Sequence, residues 1–413
     1  MENKKYSREI EGEINKNLEN DKVLLLLGAR QVGKTTVLKK IRDSLEKQGK
    51  KTEFLNLEKN NFRDILDNDP ENIFQLIGNN KEKTYVFIDE IQYLKNPSNF
   101  LKLLYDNFSD KIKLIVTGSS AFYIDKKFKD SLAGRKKIFY IYTLSFNEFL
   151  DFKDKIEYKE FLGKKDIPLL YKTELFNLYY EFINYGSYPE LVLMDSFDEK
   201  IKYLKEIADS YIQKDIFEAK IEFREKYFYI LKILASQIGN LLNMNEIANM
   251  VNLSVSTVEN YIYIMRKSFH ISAIKPFHTN IKKEFTKMPK VYFFDLGLRN
   301  YFAGNFDNFN LRVDKGSLLE NLVYKNFLGK YNYDEIKFWR TQNKNEIDFI
   351  LEKDKKAFEV KFNLKKFNIK KYSLFLEKYG DFSLECIDLE KSLTIFGKKT
   401  GITKKKLETS KVF

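Results

Sequence analysis

A glycine-rich loop carries the clearest chemistry in the chain. Residues 28–35 read Gly-Ala-Arg-Gln-Val-Gly-Lys-Thr, follow the apolar run 23–27 and open a helical pattern over 36–47. Glycines let backbone N–H groups turn toward an anion, and a helix N-terminus favours negative charge. Lys34 would then reach the β- and γ-phosphates of a nucleotide, and the Thr35 hydroxyl would hold Mg²⁺. The alternative is a glycine-containing turn without a ligand.

Two carboxylates at the end of another apolar run indicate which reaction the nucleotide undergoes. Asp89 and Glu90 follow the four-residue apolar run 85–88. An acid beside a phosphate loop binds Mg²⁺ through water, and a second acid next to it orients and activates the attacking water. The pair is typical of hydrolysing ATPases more than of kinases, although Glu90 alone also fits a surface acid past a strand end. The sequence therefore predicts ATP hydrolysis, with ATP and Mg²⁺ as cofactors.

Two further side chains have a predicted role beside the nucleotide. Ser119 lies at the end of a predicted strand, where its hydroxyl either senses the γ-phosphate or only caps a following helix. Arg135 either completes the charge of the transition state, in cis or from a neighbouring copy, or is a solvated arginine in a basic stretch. A role from a neighbouring copy is compatible with a homo-oligomer.

A layered α/β domain must position these residues. Apolar strand patterns recur at 53–57, 84–90, 113–117 and 138–142, and helical patterns separate several of them, which predicts a mostly parallel sheet within residues 1–150. The predicted nucleotide-binding residues are Gly28, Ala29, Arg30, Gln31, Val32, Gly33, Lys34, Thr35, Thr36 and Ser119. The predicted catalytic residues of this domain are Lys34, Glu90 and Arg135. Its predicted Mg²⁺ ligands are Thr35 and Asp89.

The middle of the chain predicts a winged helix. Within residues 226–303, two short helical patterns precede strand-like stretches at 271–277 and 290–294. A helix-turn-helix followed by a hairpin is a winged helix, and Ser254 or Ser256 would be the N-cap of its second helix. Such a unit either grips DNA or packs against an ATPase as a structural element.

A second set of charged residues lies on a predicted hairpin near the end of the chain. Residues 345–362 contain two strand patterns around a charged reversal, and the simplest register places Ile350 opposite Ala357 and Asp348 opposite Glu359. One face of the hairpin is then apolar and the other charged. Two carboxylates directly opposite each other are destabilising unless a positive charge lies between them, as Mg²⁺ would.

Several motifs together resemble one family of AAA-type P-loop ATPases of bacteria and archaea. In that family the ATPase is coupled to a winged helix and a C-terminal restriction-endonuclease-like domain. The motifs of the ATPase part are residues 28–36, 87–92, 117–121, 132–135 and 144–149. The later motifs are residues 211–216 and 287–298. The resemblance runs nearly end to end and implies the architecture and the use of ATP more directly than a biological role.

The resemblance also implies a chemistry for the hairpin. Asp348 followed by Glu359-Val360-Lys361 is similar to the core of the PD-(D/E)-x-K nucleases, in which the acids hold Mg²⁺ and the lysine positions or activates the water. Glu320, on a preceding helical pattern, would supply a third acid. The predicted catalytic residues here are Asp348, Glu359 and Lys361, and the predicted metal ligands are Glu320, Asp348 and Glu359. The alternative is a charged surface face with a Glu346–Lys361 pair.

The predicted fold class is α/β, in four parts. They are an AAA-type P-loop NTPase domain with a parallel sheet (1–150), a helical linker or lid (151–225), a winged-helix domain (226–303) and a restriction-endonuclease-like α/β domain (304–413). The lone Cys386 excludes an intramolecular disulfide, and two histidines make a His/Cys zinc site implausible. A secretory signal is not recognised and the apolar runs are short, so we expect a cytoplasmic protein without a membrane partner.

The charge balance favours a polyanionic partner. The formal net charge is +13, and most of the excess falls in the last quarter of the chain. The lysine pairs at 365–366 and 370–371 fit phosphate contacts or a solvated face, and Trp339 fits base stacking or a core position. Two functions remain open. One is an ATP-driven enzyme acting on nucleic acid, DNA being favoured, with a Mg²⁺-dependent nuclease domain. The other is a nucleotide-dependent switch whose later domains bind DNA or protein without cleavage.

Overall fold

The computed structural model describes residues 6–78, 82–118, 132–164, 166–277, 288–341, 343 and 345–394 of the 413 in the chain. The strands are β1 Val23–Leu27, β2 Thr52–Asn56, β3 Thr84–Asp89, β4 Ile112–Gly118, β5 Lys136–Tyr140, β6 Ile271–Pro276, β7 Lys290–Phe293, β8 Ile336–Arg340, β9 Glu346–Leu351, β10 Lys356–Val360 and β11 Ser383–Ile387.

Helices surround both sheets and fill the middle of the chain. Those of the first 150 residues are α1 Glu9–Asn15, α2 Lys34–Lys47, α3 Asn60–Asn68, α4 Ile73–Ile77, α5 Pro97–Phe108 and α6 Phe146–Phe152. Those of the middle are α7 Leu169–Tyr185, α8 Pro189–Val192, α9 Phe197–Glu206, α10 Gln213–Glu218, α11 Arg224–Ser236, α12 Met244–Val251, α13 Val255–Lys267 and α14 Leu296–Ala303. The last are α15 Lys315–Phe327, α16 Ser373–Lys378 and α17 Leu389–Thr394.

The first sheet is parallel throughout its described strands, in the order β2-β3-β4-β1-β5. Its central strands β1, β3 and β4 are buried along their whole length and are mostly apolar, as is typical of parallel strands covered by helices. The predicted α/β domain with a parallel sheet is confirmed. Because the strands are parallel, the residues that follow β1, β3 and β4 meet at one edge.

The middle of the chain is helical, as expected, and ends in antiparallel strands. Asn252 adopts φ 51° between α12 and α13, and the Ser254 side chain accepts a hydrogen bond from the Thr257 N–H. The predicted N-cap at Ser254 is therefore present. β6 and β7 then pair antiparallel. The order of these elements is the one expected of a winged helix, but both the winged-helix assignment and the binding of DNA by this unit stay predictions.

The second sheet continues across the boundary predicted at residues 303 and 304. Its described strands follow the order β11-β10-β9-β8-β6-β7, so the hairpin of the middle region and the strands of the C-terminal region form one sheet. The joint is a parallel pairing of β6 with β8, in which Lys275 lies opposite Lys337 and Pro276 opposite Phe338. The two regions therefore share a backbone hydrogen-bond ladder.

The C-terminal hairpin has the predicted register and an unexpected environment. Ala357 lies opposite Ile350, which places Asp348 and Glu359 across from each other by the same spacing. Asp348 and Glu359 are nevertheless buried. The alternative of a charged surface face was wrong, because the segment around α16 covers that side of the sheet, where Phe375 packs with Ile350 and Ala357. Trp339 is also buried, with its ring centroid 5.2 Å from that of Phe375.

In the parts of the chain that the structure describes, a helix with the length and apolar character needed to cross a membrane is not found.

Candidate functional site

The phosphate loop connects β1 to the first turn of α2. Gly33 precedes α2 with φ 91°, and Gln31 also has a positive φ, 63°. A Cβ at Gly28 would lie 2.0 Å from the carbonyl oxygen of Ile141, so only glycine fits where the loop leaves the sheet. These backbone conformations turn the loop over the N-terminus of α2, where unpaired N–H groups and the helix dipole favour an anion.

Lys34 is buried within this loop and held by neutral acceptors. Its side chain is 5% exposed, and Nζ donates to the carbonyl oxygens of Gly28 at 3.1 Å and Ala29 at 2.7 Å. Burial lowers the pKa of the Lys34 ammonium, and nearby Glu90 acts in the opposite direction. A phosphate oxygen would give this cation a charged partner in place of two peptide carbonyls.

A hydroxyl and a carboxylate meet beside the loop. Thr35 Oγ1 donates to Asp89 Oδ2 at 2.8 Å, and Thr117 Oγ1 donates to the other Asp89 oxygen. Burial raises the pKa of Asp89, and the hydrogen bonds from Thr117 and Thr35 oppose that rise. Thr35 and Asp89 present the hard oxygen ligands that Mg²⁺ takes together with water and substrate phosphates, so these residues fit that metal.

Glu90 occupies a strained backbone position directly after Asp89. Its φ and ψ are 60° and 52°, a left-handed conformation that is uncommon for glutamate. The Glu90 N–H donates to Thr117 Oγ1 at 3.0 Å, and the Gln92 side chain donates to the Glu90 carboxylate. These bonds hold the strained residue at the edge where the phosphate loop lies. Strain of this kind clusters at functional sites.

Arg30 of the phosphate loop is paired with the middle of the chain. Its guanidinium lies 3.0 Å from Asp215 Oδ1 and 2.8 Å from Glu218 Oε1, both on α10. The other Asp215 oxygen lies 3.3 Å from His270 Nε2, immediately before β6. Burial acts to lower the pKa of Arg30, but Asp215 and Glu218 outweigh it and the pKa is raised. Asp215 and Glu218 were missed from the sequence, since no local pattern pairs residues this far apart.

Arg8 supports the same loop from the N-terminal side. It is buried, and its guanidinium donates to Glu148 Oε1 at 2.9 Å, to the Val32 carbonyl at 2.7 Å and to the Tyr142 carbonyl at 2.8 Å. Glu148 is itself held in the capping box of α6 with Ser145. Arg8 was also missed, because a lone arginine in a charged leading segment carries no distinguishing pattern.

The remaining predicted residues of this site have different placements. Ala29 and Val32 are buried, whereas Thr36 is exposed. Ser119 lies outside the described residues. Arg135 is far from the loop: the Val23 N–H donates to its carbonyl at the amino end of β1, whereas the phosphate loop follows the carboxyl end.

Arg135 also has a partner of its own. Its Nε lies 2.6 Å from Asp106 Oδ1 on α5. A finger role in cis is therefore incompatible with this structure, because the length of β1, about 3.3 Å per residue, separates Arg135 from the phosphate site. A role from a neighbouring copy stays a prediction.

The C-terminal acids surround a lysine that was not among the residues predicted for this site. Lys290, at the start of β7, is 1% exposed, and Nζ lies 2.9 Å from Glu320 Oε1, 2.6 Å from Glu346 Oε1 and 3.1 Å from Asp348 Oδ1. Burial acts to lower the pKa of Lys290, yet Glu320 and the other acids raise it well above its ordinary value. Glu320, Glu346, Asp348 and Glu359, together with Lys290 and Lys361, are called the acid cluster.

Glu359 and Lys361 form the other end of the acid cluster. Lys361 donates to Glu359, and the Val360 N–H donates to Asp348 Oδ2 at 2.9 Å. The alternative pairing of Lys361 with Glu346 was wrong, since Glu346 pairs with Lys290. Burial, reinforced by Asp348, raises the pKa of Glu359 to about 7, and the pKa of Glu320 is raised to about 7 by the same two causes.

This arrangement does not fit a divalent metal. Within the described ranges, which omit 278–287 and 395–413, a group of three or more His, Cys, Asp or Glu residues placed to hold a metal ion is not present. Glu320 and Asp348, two of the three predicted ligands, instead share the Lys290 ammonium. The predicted Mg²⁺ role of Glu320, Asp348 and Glu359 therefore gains no support from the geometry.

The fold and the first site define a P-loop ATPase domain of the AAA type. Residues 20–150 match the family model described as AAA domain. Residues 176–308 match a domain of unknown function, DUF8612, and residues 315–401 match another, DUF4143. The first part of the chain is thus an AAA-type ATPase domain, and the two later matches carry no functional description.

Relatives extend along most of the chain. An uncharacterized protein of Methanocaldococcus jannaschii is 26% identical over 399 residues, which cover 94% of this chain and 86% of that protein. An uncharacterized protein of Haemophilus influenzae is 28% identical, over 81% of this chain and 80% of that protein. These similarities show that the combination of the three regions recurs in other proteins.

Among solved structures, the chain is similar to Thermotoga maritima RuvB, with a TM-score of 0.33 and 15% identity over 64% of this chain and 88% of that one. It is also similar to a DNA replication initiation factor, with a TM-score of 0.30 and 14% identity over 63% of this chain and 77% of that one. Likeness at this level supports no statement about partner or activity.

Proposed function

We propose that this protein binds and hydrolyses ATP and uses the nucleotide to switch the arrangement of its later regions. The observation that carries the ATPase part is the convergence of Lys34, Thr35, Asp89 and Glu90 at the carboxyl edge of β1 and β3. Among the described residues, the buried Lys34 ammonium donates to two peptide carbonyls, and Thr35 is bonded to Asp89 at 2.8 Å.

Each residue has a distinct role in this proposal. Lys34 binds the β- and γ-phosphates, since its buried ammonium gains a charged partner there. Thr35 and Asp89 would hold Mg²⁺, which when bound offsets charge on the phosphates. Glu90 orients the attacking water and accepts its proton, while Gln92 and Thr117 keep the glutamate in place. The loop backbone supplies the remaining N–H donors.

Arg30 supports the switch part of the proposal. It lies in the loop that would contact phosphate, and its present partners are Asp215 and Glu218 of α10. A phosphate near Arg30 competes with these carboxylates for one guanidinium, so nucleotide binding weakens the hold of the loop on α10. Asp215 also contacts His270, next to the strand β6 that joins the second sheet. This path connects the nucleotide to the C-terminal region.

A π-helical segment adjoins this contact. Ile207–Ile212 is a π-helix that connects α9 to α10. Such segments are rare and often occur at functional sites. The π-helix thus adjoins the helix that Arg30 contacts, which supports a functional role for this junction.

Nucleic acid, with DNA favoured, is the partner we propose for the later regions. Lys365, Lys366, Lys370 and Lys371 are all exposed on short turns after β10, and the whole chain is basic. Exposed lysines bind phosphates in a sequence-independent way, and such binding weakens with salt. Trp339 contributes no stacking, since it is buried. Assembly with a second copy, which would bring Arg135 to a neighbouring nucleotide, belongs to the same proposal.

Binding without cleavage is the better supported role of the C-terminal region. Asp348, Glu359 and Lys361 have the predicted order and register of a nuclease core. However, the cation between the acids is Lys290 rather than a site open to metal. A nuclease that needs Mg²⁺ at this position would have to displace a buried ammonium paired with three carboxylates, which is costly.

Turnover measurements on the full chain test the ATPase proposal. Glu90→Gln should keep ATP bound and lower turnover by about 100-fold or more, because it removes the group that activates the water. Glu71→Gln, at an exposed acid of the same domain, is the matched control and should behave as the wild type. Hydrolysis that persists in Glu90→Gln would show that another group activates the water.

A DNA assay separates the switch from the nuclease. Full-length protein is mixed with labelled single- and double-stranded DNA and RNA, with Mg²⁺ or Mn²⁺, and with ATP, ADP or no nucleotide. The switch predicts that affinity differs between ATP and ADP and that the nucleic acid stays intact. Cleavage that Asp348→Ala abolishes would establish the nuclease instead. Affinity that is equal in all nucleotide states would contradict the switch.

A further inference from the structure

The acid cluster is built from three separate parts of the chain. Lys290 comes from β7, Glu320 from α15, and Glu346 and Asp348 from β9. The Lys290 ammonium is within 3.1 Å of a carboxylate oxygen from each of the three acids. Lys290 Nζ donates hydrogen bonds to Glu320 and Asp348, and its contact with Glu346 is an ion pair, so each of its three close polar neighbours is anionic.

Most of the remaining polar groups of the acid cluster are also engaged, although the buried Oε2 of Glu359 has no hydrogen-bond partner among the described residues. Tyr292 donates to the same Glu320 oxygen as Lys290, and Arg340 lies 2.6 Å from the second oxygen of Glu346. The second oxygen of Asp348 accepts the Val360 N–H, and Lys361 donates to Glu359. A divalent ion would have to break several of these bonds to gain oxygen ligands.

The charge balance of the acid cluster also argues against a bound divalent ion. Four carboxylates face the two ammonium groups of Lys290 and Lys361, with Arg340 at the edge. With four carboxylates against three cations, the net charge is one negative charge, so the addition of two positive charges would leave an excess of positive charge in a buried place.

We propose that Lys290 is the resident cation of the acid cluster, and that its ammonium, rather than a divalent metal, joins β7 to α15 and β9. The position between Glu320 and Asp348 is then a latent metal site that is closed by an internal amine. Removal of the amine, with the acids left in place, should convert the acid cluster into a site that takes Mn²⁺ or Mg²⁺.

The position of Lys290 in the second sheet gives its ammonium a structural role among the acids. Lys290 begins β7, the edge strand of the second sheet, and its side chain crosses toward β9, which is not a neighbour of β7 in that sheet. The ammonium therefore ties an edge strand to a more central strand and to a helix that covers the sheet. A metal ion held by Glu320, Asp348 and Glu359 would leave β7 without this attachment.

The first test measures Mn²⁺ binding to the nucleotide-free full chain by electron paramagnetic resonance. The wild type and the single variant Asp348→Asn should bind the same amount of Mn²⁺, because the acid cluster takes no metal. The opposite result, wild-type Mn²⁺ binding that disappears in Asp348→Asn, would overturn the proposal. This comparison does not depend on any change at Lys290, so it stays decisive if variants of that residue fail to fold.

The second test opens the latent site. Lys290→Met keeps most of the side-chain volume and should bind one additional Mn²⁺ per chain, and that ion should be lost again in Lys290→Met/Asp348→Asn. Lys290→Arg keeps the positive charge and should bind none, while Lys356→Met, at an exposed lysine of β10, is the matched control. A folded Lys290→Met that binds no additional Mn²⁺ would show that the amine is not what excludes the metal.

Discussion

Two buried lysines, one in each half of the chain, have opposite surroundings. Lys34 of the phosphate loop is 5% exposed and donates to two peptide carbonyls, while Lys290 of the acid cluster is 1% exposed and lies among three carboxylates. Accordingly the pKa of Lys34 is lowered, chiefly by burial, whereas the pKa of Lys290 is raised, since its acidic neighbours outweigh burial.

The difference separates a binding cation from a structural one. An ammonium with neutral acceptors has electrostatic energy to gain from an incoming anion, because its own charge is poorly compensated. An ammonium already paired with carboxylates gains no such electrostatic energy from an incoming anion. Its removal leaves buried negative charges unpaired. Burial alone does not distinguish these cases. The charge of the partners does.

The largest expected effect is the loss of Lys34. Lys34→Ala should reduce ATP affinity below detection and lower turnover by more than about 1,000-fold, since both phosphate binding and charge stabilisation depend on this ammonium. Calorimetric titration with ATP and a phosphate-release assay measure the two quantities. Lys39→Ala, one turn further along α2 and exposed, is the control. Unchanged ATP affinity in Lys34→Ala would remove the basis for a binding cation.

The second effect concerns stability rather than ligand binding. Lys290→Ala should lower the free energy of unfolding by about 3–4 kcal/mol, because several buried acids lose their shared counter-ion. Urea unfolding followed by the fluorescence of the lone Trp339, which lies in the same sheet, reports on this region. ATP affinity should not change. If Lys290→Ala lost ATP binding but kept its free energy of unfolding, Lys290 would be a ligand-binding cation and not a structural one.

A smaller effect is expected from Arg30 of the phosphate loop, which pairs with Asp215 and Glu218 of α10. Arg30→Ala should lower turnover by only about tenfold, since Lys34 remains, but it should abolish the difference in amide hydrogen exchange of α10 between ATP-bound and nucleotide-free protein. Arg30→Lys keeps a charge but not both contacts, to Asp215 and Glu218, and should give a partial response. An α10 response that persists in Arg30→Ala would show that the nucleotide signal takes another route.

The smallest effect uses a third buried lysine. Lys325 of α15 donates to Thr143 Oγ1 at 2.5 Å and to the Phe294 carbonyl at 3.3 Å, and burial lowers its pKa to about 8. Its neutral acceptors make it similar to Lys34. The folded state therefore releases its proton more readily than the unfolded state.

This difference fixes the sign of the pH dependence. Below pH 8 both states keep the Lys325 proton, and between about pH 8 and the ordinary lysine pKa only the unfolded state keeps it. Stability should therefore rise with pH in that interval, by about 1 kcal/mol per pH unit from this group. Lys325→Met should reduce the slope, whereas Lys366→Met, at an exposed lysine, should not. Equal slopes in both variants would contradict the assigned pKa.

Local patterns predicted the elements better than the connections between them. The strands of the first sheet, the helix after the phosphate loop, the Ser254 cap and the register of Ile350 with Ala357 all follow from alternation, apolar runs and turn chemistry, which act over a few residues. The meeting of Asp89 with Thr35 also followed, because parallel strands bring their carboxyl ends together.

The contacts that could not be predicted join residues far apart in the chain. The contacts of Arg30 with Asp215 and of Lys290 with Asp348 depend on the packing of whole elements. A single sequence does not reveal which distant residues that packing brings together. The left-handed backbone at Glu90 was equally hidden, since tertiary contacts rather than residue type impose it. The alternation predicted that one face of the hairpin is charged but not that it is buried, because its cover, the segment around α16, lies further along the chain.

The shared second sheet has a consequence for the growing polypeptide. Proteins emerge from the ribosome from the N-terminus onward, and their regions begin to fold in that order. β6 and β7 emerge well before β8, so the edge of β6 that finally pairs with β8 is exposed in the meantime. An open strand edge is a template for association with other chains. The half-made protein is therefore expected to need a chaperone during synthesis, at a stage when its ATPase sheet has already emerged in full.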